Sequence, residues 1–274
     1  MARFRKAICN ETFGNWGIAD VLQYVGDLGY DGVEIDPSTL AETVEDISTA
    51  AREDIRRTAE SAGVEIVGLH SVLKNPNELL YLNHPDAFVR ARTAEYLKAV
   101  IAFCSDLGGK IVVLGSARQR NVCPGVTPQQ AWTYAVEVFR ACLECGESRG
   151  VTLCLEPLTA RVTNFITKAS EAIKMVEEID HPCFRMMLDV RSASDDEQPI
   201  PELIRQSASH LAHFHTNDDN GRAPGTGNAD YEAISTALRE IGYDGYLSVE
   251  VFDFQPNPET IAEESLETLK RYFG

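Results

Sequence analysis

The chain has 274 residues and carries 25 Lys and Arg against 42 Asp and Glu, which gives a formal net charge of −17. With 44% hydrophobic and 24% charged residues, its composition is that of a globular protein and argues against extensive disorder. No apolar run approaches the ~20 residues of a membrane helix. The acidity argues against a nucleic-acid ligand, because phosphates are bound by Lys and Arg. We therefore expect no nucleic-acid partner and no membrane partner.

The N-terminus and the cysteines predict a cytoplasmic protein. Residues 1–10 are basic but lack the apolar core of a signal peptide. The seven cysteines are odd in number and belong to a long chain without a small disulfide framework. Cys142 and Cys145 form a C-x-x-C pair, but the surrounding pattern is helical and no second pair accompanies it. We interpret this segment as a helix with small buried thiols rather than a zinc or redox site.

Short apolar runs alternate with longer amphipathic segments along the whole chain. Apolar, β-branched runs predict strands, and an apolar face repeating every three to four residues predicts a helix. The predicted strands are 5–10, 32–36, 64–70, 110–116, 151–157, 184–190, 211–217 and 246–252. Strands that alternate with helices pair in parallel through right-handed crossovers. Eight such units predict an α/β protein with a (β/α)8 TIM barrel, formed by a single domain over residues 1–274.

Four ionisable residues end four consecutive predicted strands. Glu156, Asp189, His215 and Glu250 each follow an apolar run, on the fifth to the eighth strand. The active site of such a barrel lies at the carboxyl ends of its strands, so these side chains should converge at one rim. Three carboxylates and one imidazole predict a site for one divalent cation. Mn²⁺ is the expected ion, with Mg²⁺ and Co²⁺ as alternatives and Zn²⁺ less favoured.

Polar residues also end the first two predicted strands. Asn10 and Glu11 follow the first strand, and Glu34 and Asp36 belong to the end of the second. The second strand could present either Glu34 or Asp36 to the barrel interior, and the sequence does not choose between them. We include Glu34 among the predicted substrate-binding residues.

The third, fourth and seventh strands add further candidates. His70 ends the third strand, and we predict that it binds substrate, with a structural histidine as the alternative. The fourth strand ends in Gly115 and Ser116, which would leave room for a ligand, and Ser116 is a predicted substrate contact. His213 lies two residues before His215, so it is either a partner of the metal ligands one layer deeper or a core histidine.

Two loops at the same rim carry arginines. The segment 218–231 is rich in Gly and holds Arg222, a combination that suits a lid or a substrate clamp. The segment 115–120 is a compact basic run that could bind a phosphate or be a solvated loop. Neither a P-loop nor a G-x-S-x-G nucleophile motif is present.

With these residues located, the chain resembles the sugar phosphate isomerase/epimerase family of xylose isomerase-like barrels. The similar segments are LEPL with Glu156, MLDV with Asp189, HFHTND with His215, GTGNADY, and SVEVF with Glu250. The resemblance implies that these four residues hold one divalent metal, and that Glu156 and Glu250 form an acid–base pair. It also implies a substrate-binding role for an arginine in the loop after the seventh strand, which Arg222 matches approximately.

The chain departs from this family's epimerases at two positions. Ser192 stands where they often have a histidine, and Val162 stands where they often have an acidic residue. These departures weigh against a ketose 3-epimerase in particular and leave the metal residues untouched. The related DNA-repair endonucleases need extra histidines after the fourth, sixth and seventh strands, which this chain lacks.

The predicted function is a metal-dependent sugar isomerase or epimerase. The metal would polarise the carbonyl of a keto sugar. One of Glu156 and Glu250 would take the adjacent proton to give a metal-bound enediolate, and the other would return it. The alternatives are a lyase or dehydratase of the inosose dehydratase type on the same site, and a non-catalytic sugar-binding barrel. The expected partner is a small sugar, and homo-oligomerisation is left open.

Overall fold

The computed structural model describes residues 4–274. Within them eight parallel strands form a closed barrel in the order β1 to β8, so each strand pairs with its sequence neighbours and β8 pairs with β1. The strands are β1 Arg5–Cys9, β2 Gly32–Ile35, β3 Glu65–Leu69, β4 Ile111–Leu114, β5 Thr152–Leu155, β6 Phe184–Asp189, β7 Leu211–Thr216 and β8 Tyr246–Val249. Each lies inside a predicted strand. The predicted α/β barrel is therefore confirmed.

Helices connect the strands around the outside of the barrel. They are α1 Ile18–Leu28, α2 Thr49–Ala62, α3 Ala87–Asp106, α4 Pro128–Arg140, α5 Leu143–Arg149, α6 Ala169–Ile179, α7 Val190–Ala193, α8 Ile200–Gln206, α9 Tyr231–Glu240 and α10 Pro258–Phe273. Short 3₁₀ turns cover Asn10–Phe13, Pro37–Thr39 and Val44–Asp46. Among residues 4–274, no helix is both long enough and apolar enough to cross a membrane.

Local sequence signals explain where several helices begin and end. Thr127 caps α4 in a capping box with Gln130, and Pro128 occupies the first turn, where its missing N–H costs nothing. Gly29 follows α1 with a φ of 92°, a left-handed conformation that glycine adopts without strain. β2 begins three residues later, at Gly32, so the end of the helix helps to position the next strand.

The C-x-x-C segment is not one continuous helix. The chain turns after α4, and Cys142 precedes α5. The buried Cys142 thiol lies against the Val138 and Ala94 carbonyl oxygens, at 3.4 and 3.6 Å, while Cys145 is half-buried. Both thiols are free. The expectation of small packed thiols thus fits Cys142 better than Cys145, and the helix is interrupted at Ala141 and Cys142.

Aromatic packing between α4 and the barrel offers a stability test. Phe139 is fully buried, and its ring centroid lies 5.0 Å from that of Phe184 on β6. We expect Phe139→Ala to lower the free energy of unfolding by about 3–5 kcal/mol, because it removes buried apolar surface and leaves a cavity. Urea denaturation measures this change. Phe88 is exposed, so Phe88→Ala is the matched control and should lower the free energy of unfolding far less. Equal losses of stability in the two variants would contradict the packing role of Phe139.

Candidate metal centre and active site

The four residues predicted to bind a metal meet at the carboxyl ends of the last four strands. Glu156 directly follows β5, Asp189 is the last residue of β6, His215 lies on β7, and Glu250 directly follows β8. Their ligand atoms all lie within 4.8 Å of one another, and all four residues are buried. Parallel pairing brings the four strand ends to one rim; for example, Asp189 is in register with His215. We call this set the four-residue cluster.

The Glu156 carboxylate occupies the space that Gly115 leaves open. A Cβ on Gly115 would lie 1.9 Å from Oε2 of Glu156, so no larger residue fits here while the carboxylate stays in place. The other oxygen, Oε1, is buried and has no hydrogen-bond partner among the described residues. The Glu156 carboxylate therefore fills the space beside Gly115 that was predicted for a ligand. Its Oε1 remains available to accept a hydrogen bond or to bind a cation.

His215 is held between two carboxylates. Its Nδ1 lies 3.0 Å from Oε2 of Glu250, and its Nε2 lies 3.2 Å from both carboxylate oxygens of Glu34. Glu34 also accepts a hydrogen bond from Nε2 of His213 at 2.8 Å. Histidines that bind a metal through one ring nitrogen commonly donate the other N–H to a carboxylate, which fixes the orientation of the ring. Glu34 and His213 form such a support beneath His215.

This arrangement places Glu34 in the barrel interior rather than at the rim. Glu34 is fully buried, and its carboxylate is engaged by His213 and His215. Asp36, the other candidate on this strand, lies against Lys74 and accepts hydrogen bonds from Ser38. The structure thus decides which of the two acids faces inward, but it leaves Glu34 bound to two imidazoles rather than free for a substrate.

The remaining metal candidate, Asp189, is oriented by two donors. The Nδ2 group of Asn217 donates to Oδ2 of Asp189 at 2.6 Å, and the backbone N–H of Ser192 donates to Oδ1 at 2.7 Å. Asn217 was not among the predicted site residues. Asn217 directly follows β7. Its place at a strand end, like that of the predicted rim residues, could have identified it as a site residue.

His70 and Glu11 lie beside Glu250, and His70 faces the carboxylate oxygen that His215 does not contact. Nδ1 of His70 lies 3.1 Å from Oε1 of Glu250 and 4.0 Å from Oε1 of Glu11. Nε2 of His70 is buried and has no partner among residues 4–274. Burial opposes the protonation of His70, but Glu11 and Glu250 raise its pKa to about 9. His70 therefore joins the acidic residues of the rim, with one ring nitrogen still available.

Crowding of carboxylates dominates the electrostatics of the four-residue cluster. Burial raises the pKa of Glu156 to about 8, reinforced by the negative charges of Glu250 and Asp189. Burial and the charge of Glu250 raise the pKa of Asp189 to about 6. Burial alone would raise the pKa of Glu250 too, but His215 and His70 hold it below its usual range. Buried carboxylates of this kind are stabilised by a cation among them.

The donor set fits a hard or borderline divalent cation. Three carboxylates and one imidazole match Mn²⁺, Mg²⁺ or Co²⁺, whereas the thiolates that favour zinc are absent from the four-residue cluster. The unpartnered Oε1 of Glu156 supports the same assignment, because a buried acceptor without a hydrogen bond is costly unless something else binds it. The residues present therefore suit the predicted metal.

Ser116 and Arg222 lie near this rim but are already engaged. The hydroxyl oxygen of Ser116 accepts a hydrogen bond from the Leu73 backbone N–H at 3.3 Å. Arg222, in the loop after β7, approaches Asp253 of the loop after β8, with 3.5 Å between Nε and Oδ2. The Arg222 side chain is 42% exposed. It links two rim loops and keeps enough exposure to meet a ligand.

Arg120 has a position that the sequence did not predict. The segment 115–120 suggested a phosphate contact or a solvated loop, but Arg120 is fully buried. Its guanidinium donates to the Glu156 backbone carbonyl oxygen at 2.8 Å. Burial lowers the pKa of Arg120 to about 10, against the opposing charge of Glu156. Arg120 thus supports the end of β5 and places a positive charge behind the four-residue cluster.

Similarity to known proteins shows which family the chain belongs to. A sequence profile of the xylose isomerase-like TIM barrel matches residues 22–272. The chain belongs to that family. The predicted family resemblance is therefore confirmed, and the matched region contains all four residues of the four-residue cluster.

Characterised relatives indicate the class of enzyme. The chain is 27% identical to a D-psicose 3-epimerase of Ruminiclostridium cellulolyticum over 233 residues, which cover 84% of this chain and 77% of the relative. It is 22% identical to the fructoselysine 3-epimerase of Shigella flexneri over 250 residues, 89% of each protein. It is also 22% identical to the 3-dehydro-D-guloside 4-epimerase of Escherichia coli K12, over 95% of this chain and 97% of the relative. The predicted enzyme class, isomerase or epimerase, is confirmed.

Solved structures agree with the fold. The D-psicose 3-epimerase of Clostridium cellulolyticum H10, determined with D-tagatose, superimposes with a TM-score of 0.87 at 22% identity, over 98% of this chain and 99% of the other. The 3-keto-D-glucoside 4-epimerase of E. coli superimposes with a TM-score of 0.84 at 19% identity, over 97% and 99% of the two chains. Nearly the whole chain therefore follows the architecture of these barrels.

Proposed function

We propose that this protein is a divalent-metal-dependent epimerase of keto sugars, with Mn²⁺ as the expected ion. The observation that carries the proposal is the four-residue cluster, whose ligand atoms lie within 4.8 Å of one another and include an unpartnered buried oxygen of Glu156. The relatives that cover most of the chain are epimerases of ketoses and keto sugars, and they favour epimerisation over the elimination of water.

Glu156, Asp189, His215 and Glu250 would hold the metal. When bound, it would act as a Lewis acid that polarises a sugar carbonyl and makes the neighbouring C–H more acidic. Glu34 and Asn217 would act through these ligands, because Glu34 holds the ring of His215 and Asn217 holds the carboxylate of Asp189.

Glu156 and Glu250 are the proposed acid–base pair. They follow β5 and β8, which are separated around the barrel, so they approach a substrate at the rim from different directions. Epimerisation needs this arrangement, because a proton removed from one face of a carbon must be returned to the other. Both side chains are buried, which excludes bulk water from the proton that is moved.

His70, Ser116 and Arg222 are the proposed substrate contacts. The free Nε2 of His70 can exchange a hydrogen bond with a sugar hydroxyl. Arg222 can close over the substrate with its glycine-rich loop, since it already contacts the loop after β8. For Glu34 we propose positioning of His215 in place of the predicted substrate contact, because both of its oxygens already face imidazoles.

The test is a screen of ketoses and inososes in D₂O, followed by NMR. D-psicose, D-fructose, D-tagatose, L-ribulose and inososes would each be incubated with Mn²⁺-loaded protein, and with protein treated with a chelator as the control. An epimerase incorporates deuterium beside the carbonyl and gives a product with the carbon skeleton and hydroxyls of the substrate. Loss of water would indicate the dehydratase instead. Metal binding without exchange in any sugar would overturn the proposed catalysis.

The support that Glu34 gives to His215 makes a separate prediction. We expect Glu34→Gln to weaken Mn²⁺ binding by about 10–100-fold, because neutral glutamine holds the imidazole less firmly than a carboxylate does. Isothermal titration calorimetry measures the affinity. Asp36→Asn, on the same strand end but directed at Lys74, is the matched control and should bind Mn²⁺ nearly as the wild type does. Equal effects of the two substitutions would contradict the assigned role.

A further inference from the structure

A cavity lies at the amino ends of the strands, at the opposite end of the barrel from the four-residue cluster. Its volume is about 290 Å³, just below the range of sites for drug-sized molecules, so it suits one small molecule. The first residues of β1, β3, β4 and β8 help to line it: Arg5, Glu65, Ile111 and Tyr246. We call it the amino-end cavity. The proposed reaction occurs at the carboxyl ends of the strands, so this cavity is not part of that site.

His213 on β7 is the most deeply buried side chain that lines the amino-end cavity. Its Nε2 donates to Oε2 of Glu34 at 2.8 Å. Its Nδ1 is buried and has no hydrogen-bond partner within residues 4–274. An imidazole that donates through Nε2 presents a lone pair at Nδ1, and a buried acceptor without a donor is costly. The inner end of the cavity therefore calls for an occupant that donates a hydrogen bond.

Apolar side chains form part of the wall between His213 and the mouth of the cavity. Val67, Ile111 and Ala212 line it, and Val67 is buried. If only water filled the cavity, this apolar surface would remain hydrated, which is unfavourable. A molecule with a carbon skeleton can pack against the wall while one of its hydroxyl groups meets His213.

The mouth of the amino-end cavity carries charges of both signs. Arg5 and Lys110 are positive, Glu65 and Asp244 are negative, and all four residues are exposed. Arg5 lies 3.7 Å from Glu65 and 4.2 Å from the ring centroid of Tyr246. The two positive and two negative charges balance, so the lining favours neither an anion nor a cation. It offers both donors and acceptors, which suits hydroxyl groups because each of them can donate and accept.

We propose that the amino-end cavity binds a small uncharged polyol of about four to six carbons, with one hydroxyl donating to Nδ1 of His213. The apolar wall packs against the carbon skeleton, and the mouth hydrogen-bonds the outer hydroxyl groups. Glu34 contacts both His213 and His215. The polyol site and the four-residue cluster therefore share one carboxylate, although they lie at opposite ends of the barrel.

Saturation-transfer NMR with erythritol and xylitol tests the proposal. These alditols have no carbonyl, so they cannot undergo the epimerisation proposed for the rim. The full chain would be loaded with Mg²⁺, which is diamagnetic, and titrated with each alditol. We expect saturable binding in the wild type. Binding should be weaker by about 10-fold or more in Ala212→Leu, because the larger side chain fills the cavity.

Two control variants locate the binding. Ala50→Leu makes the same change at an exposed position of α2 and should bind the alditols as the wild type does. Asp189→Asn alters the rim and should also bind them normally, because Asp189 does not line the amino-end cavity. Circular dichroism of each variant verifies that it is folded.

The imidazole of His213 gives an independent readout in the unaltered protein. With nitrogen-15 in its six histidines, the Nδ1 resonance of His213 should shift when a hydroxyl group donates to it. The resonance is assigned by its absence from the spectrum of His213→Gln. Because the titrated protein carries no substitution, this measurement decides the question even if Ala212→Leu does not fold.

The outcomes are distinct from those of the epimerase assay. No saturable binding in the wild type, or an unchanged His213 Nδ1 resonance, would overturn the polyol site. Equal binding in Ala212→Leu and the wild type would also overturn it, because the alditol would then lie elsewhere. None of these measurements follows turnover, so their failure leaves the proposed epimerase standing, and an inactive rim leaves the polyol site to be judged by binding alone.

Discussion

Glutamine in place of Glu156 or Glu250 is expected to lower kcat by about 10²–10⁴-fold, the usual contribution of a positioned proton-transfer group. Glutamine keeps the shape of the side chain but cannot take a proton from carbon or return it. Both glutamates lie in the four-residue cluster and follow strands on different sides of the rim. Each substitution should therefore stop epimerisation while leaving the fold intact.

The measurement must distinguish a variant that has lost proton transfer from one that no longer binds the metal. Turnover would be followed at saturating Mn²⁺, with the bound metal quantified in each variant. Solvent deuterium exchange at the substrate carbon reports the proton step directly. Glu65→Gln, a change of the same kind at the far end of the barrel, should retain activity. Full activity in either Glu156→Gln or Glu250→Gln would refute the acid–base pair.

Alanine at Gly115 is expected to reduce activity by about 10²-fold through Glu156. The new Cβ would lie 1.9 Å from Oε2 of Glu156, whereas the next nearest atoms are the Glu156 Cδ at 3.2 Å and the Val113 Cγ1 at 3.6 Å. The flexible carboxylate must therefore move, and the backbone need not. A shift of about 1 Å in a reacting group is enough for a loss of this size.

Gly115→Ala also predicts a dependence on Glu156. In Glu156→Gln the catalytic carboxylate is already lost, so displacing the side chain at position 156 can lower the activity little further. The double substitution should therefore be scarcely less active than Glu156→Gln alone. Gly17→Ala is the matched control, because a Cβ there meets only the Asp20 carboxylate at 3.3 Å. Thermal unfolding should show similar melting temperatures for both alanine variants. Unchanged kcat in Gly115→Ala would show that the Glu156 carboxylate is not held in a productive position.

The two departures from the family's epimerase pattern, Ser192 and Val162, lie outside the four-residue cluster. Ser192 contributes its backbone N–H to Asp189, and Val162 is 41% exposed. Neither residue supplies an ionisable group to the four-residue cluster. The two departures therefore leave the four-residue cluster unchanged, and the sugar screen in D₂O addresses which ketose is accepted.

The sequence by itself determined the barrel and the rim positions of the four-residue cluster. Strand and helix periodicities are local, and glycines such as Gly29 end helices by backbone conformation alone, so both can be identified without tertiary contacts. Parallel strands in a closed barrel bring all carboxyl ends to one rim. Glu156, Asp189 and His215 could therefore be grouped with Glu250 from their places in the chain.

Only the tertiary structure decided which side chains meet beneath and beside that rim. The register shifts between Val33 and Glu34 where β2 pairs with β3, and this irregularity cannot be read from a strand pattern. Three contacts join segments that are distant in sequence. Glu34 meets His215, Gly115 meets Glu156, and the buried Arg120 donates to the Glu156 carbonyl oxygen. Such contacts depend on strand register and barrel closure, which fix side-chain directions across the whole fold rather than within any one segment.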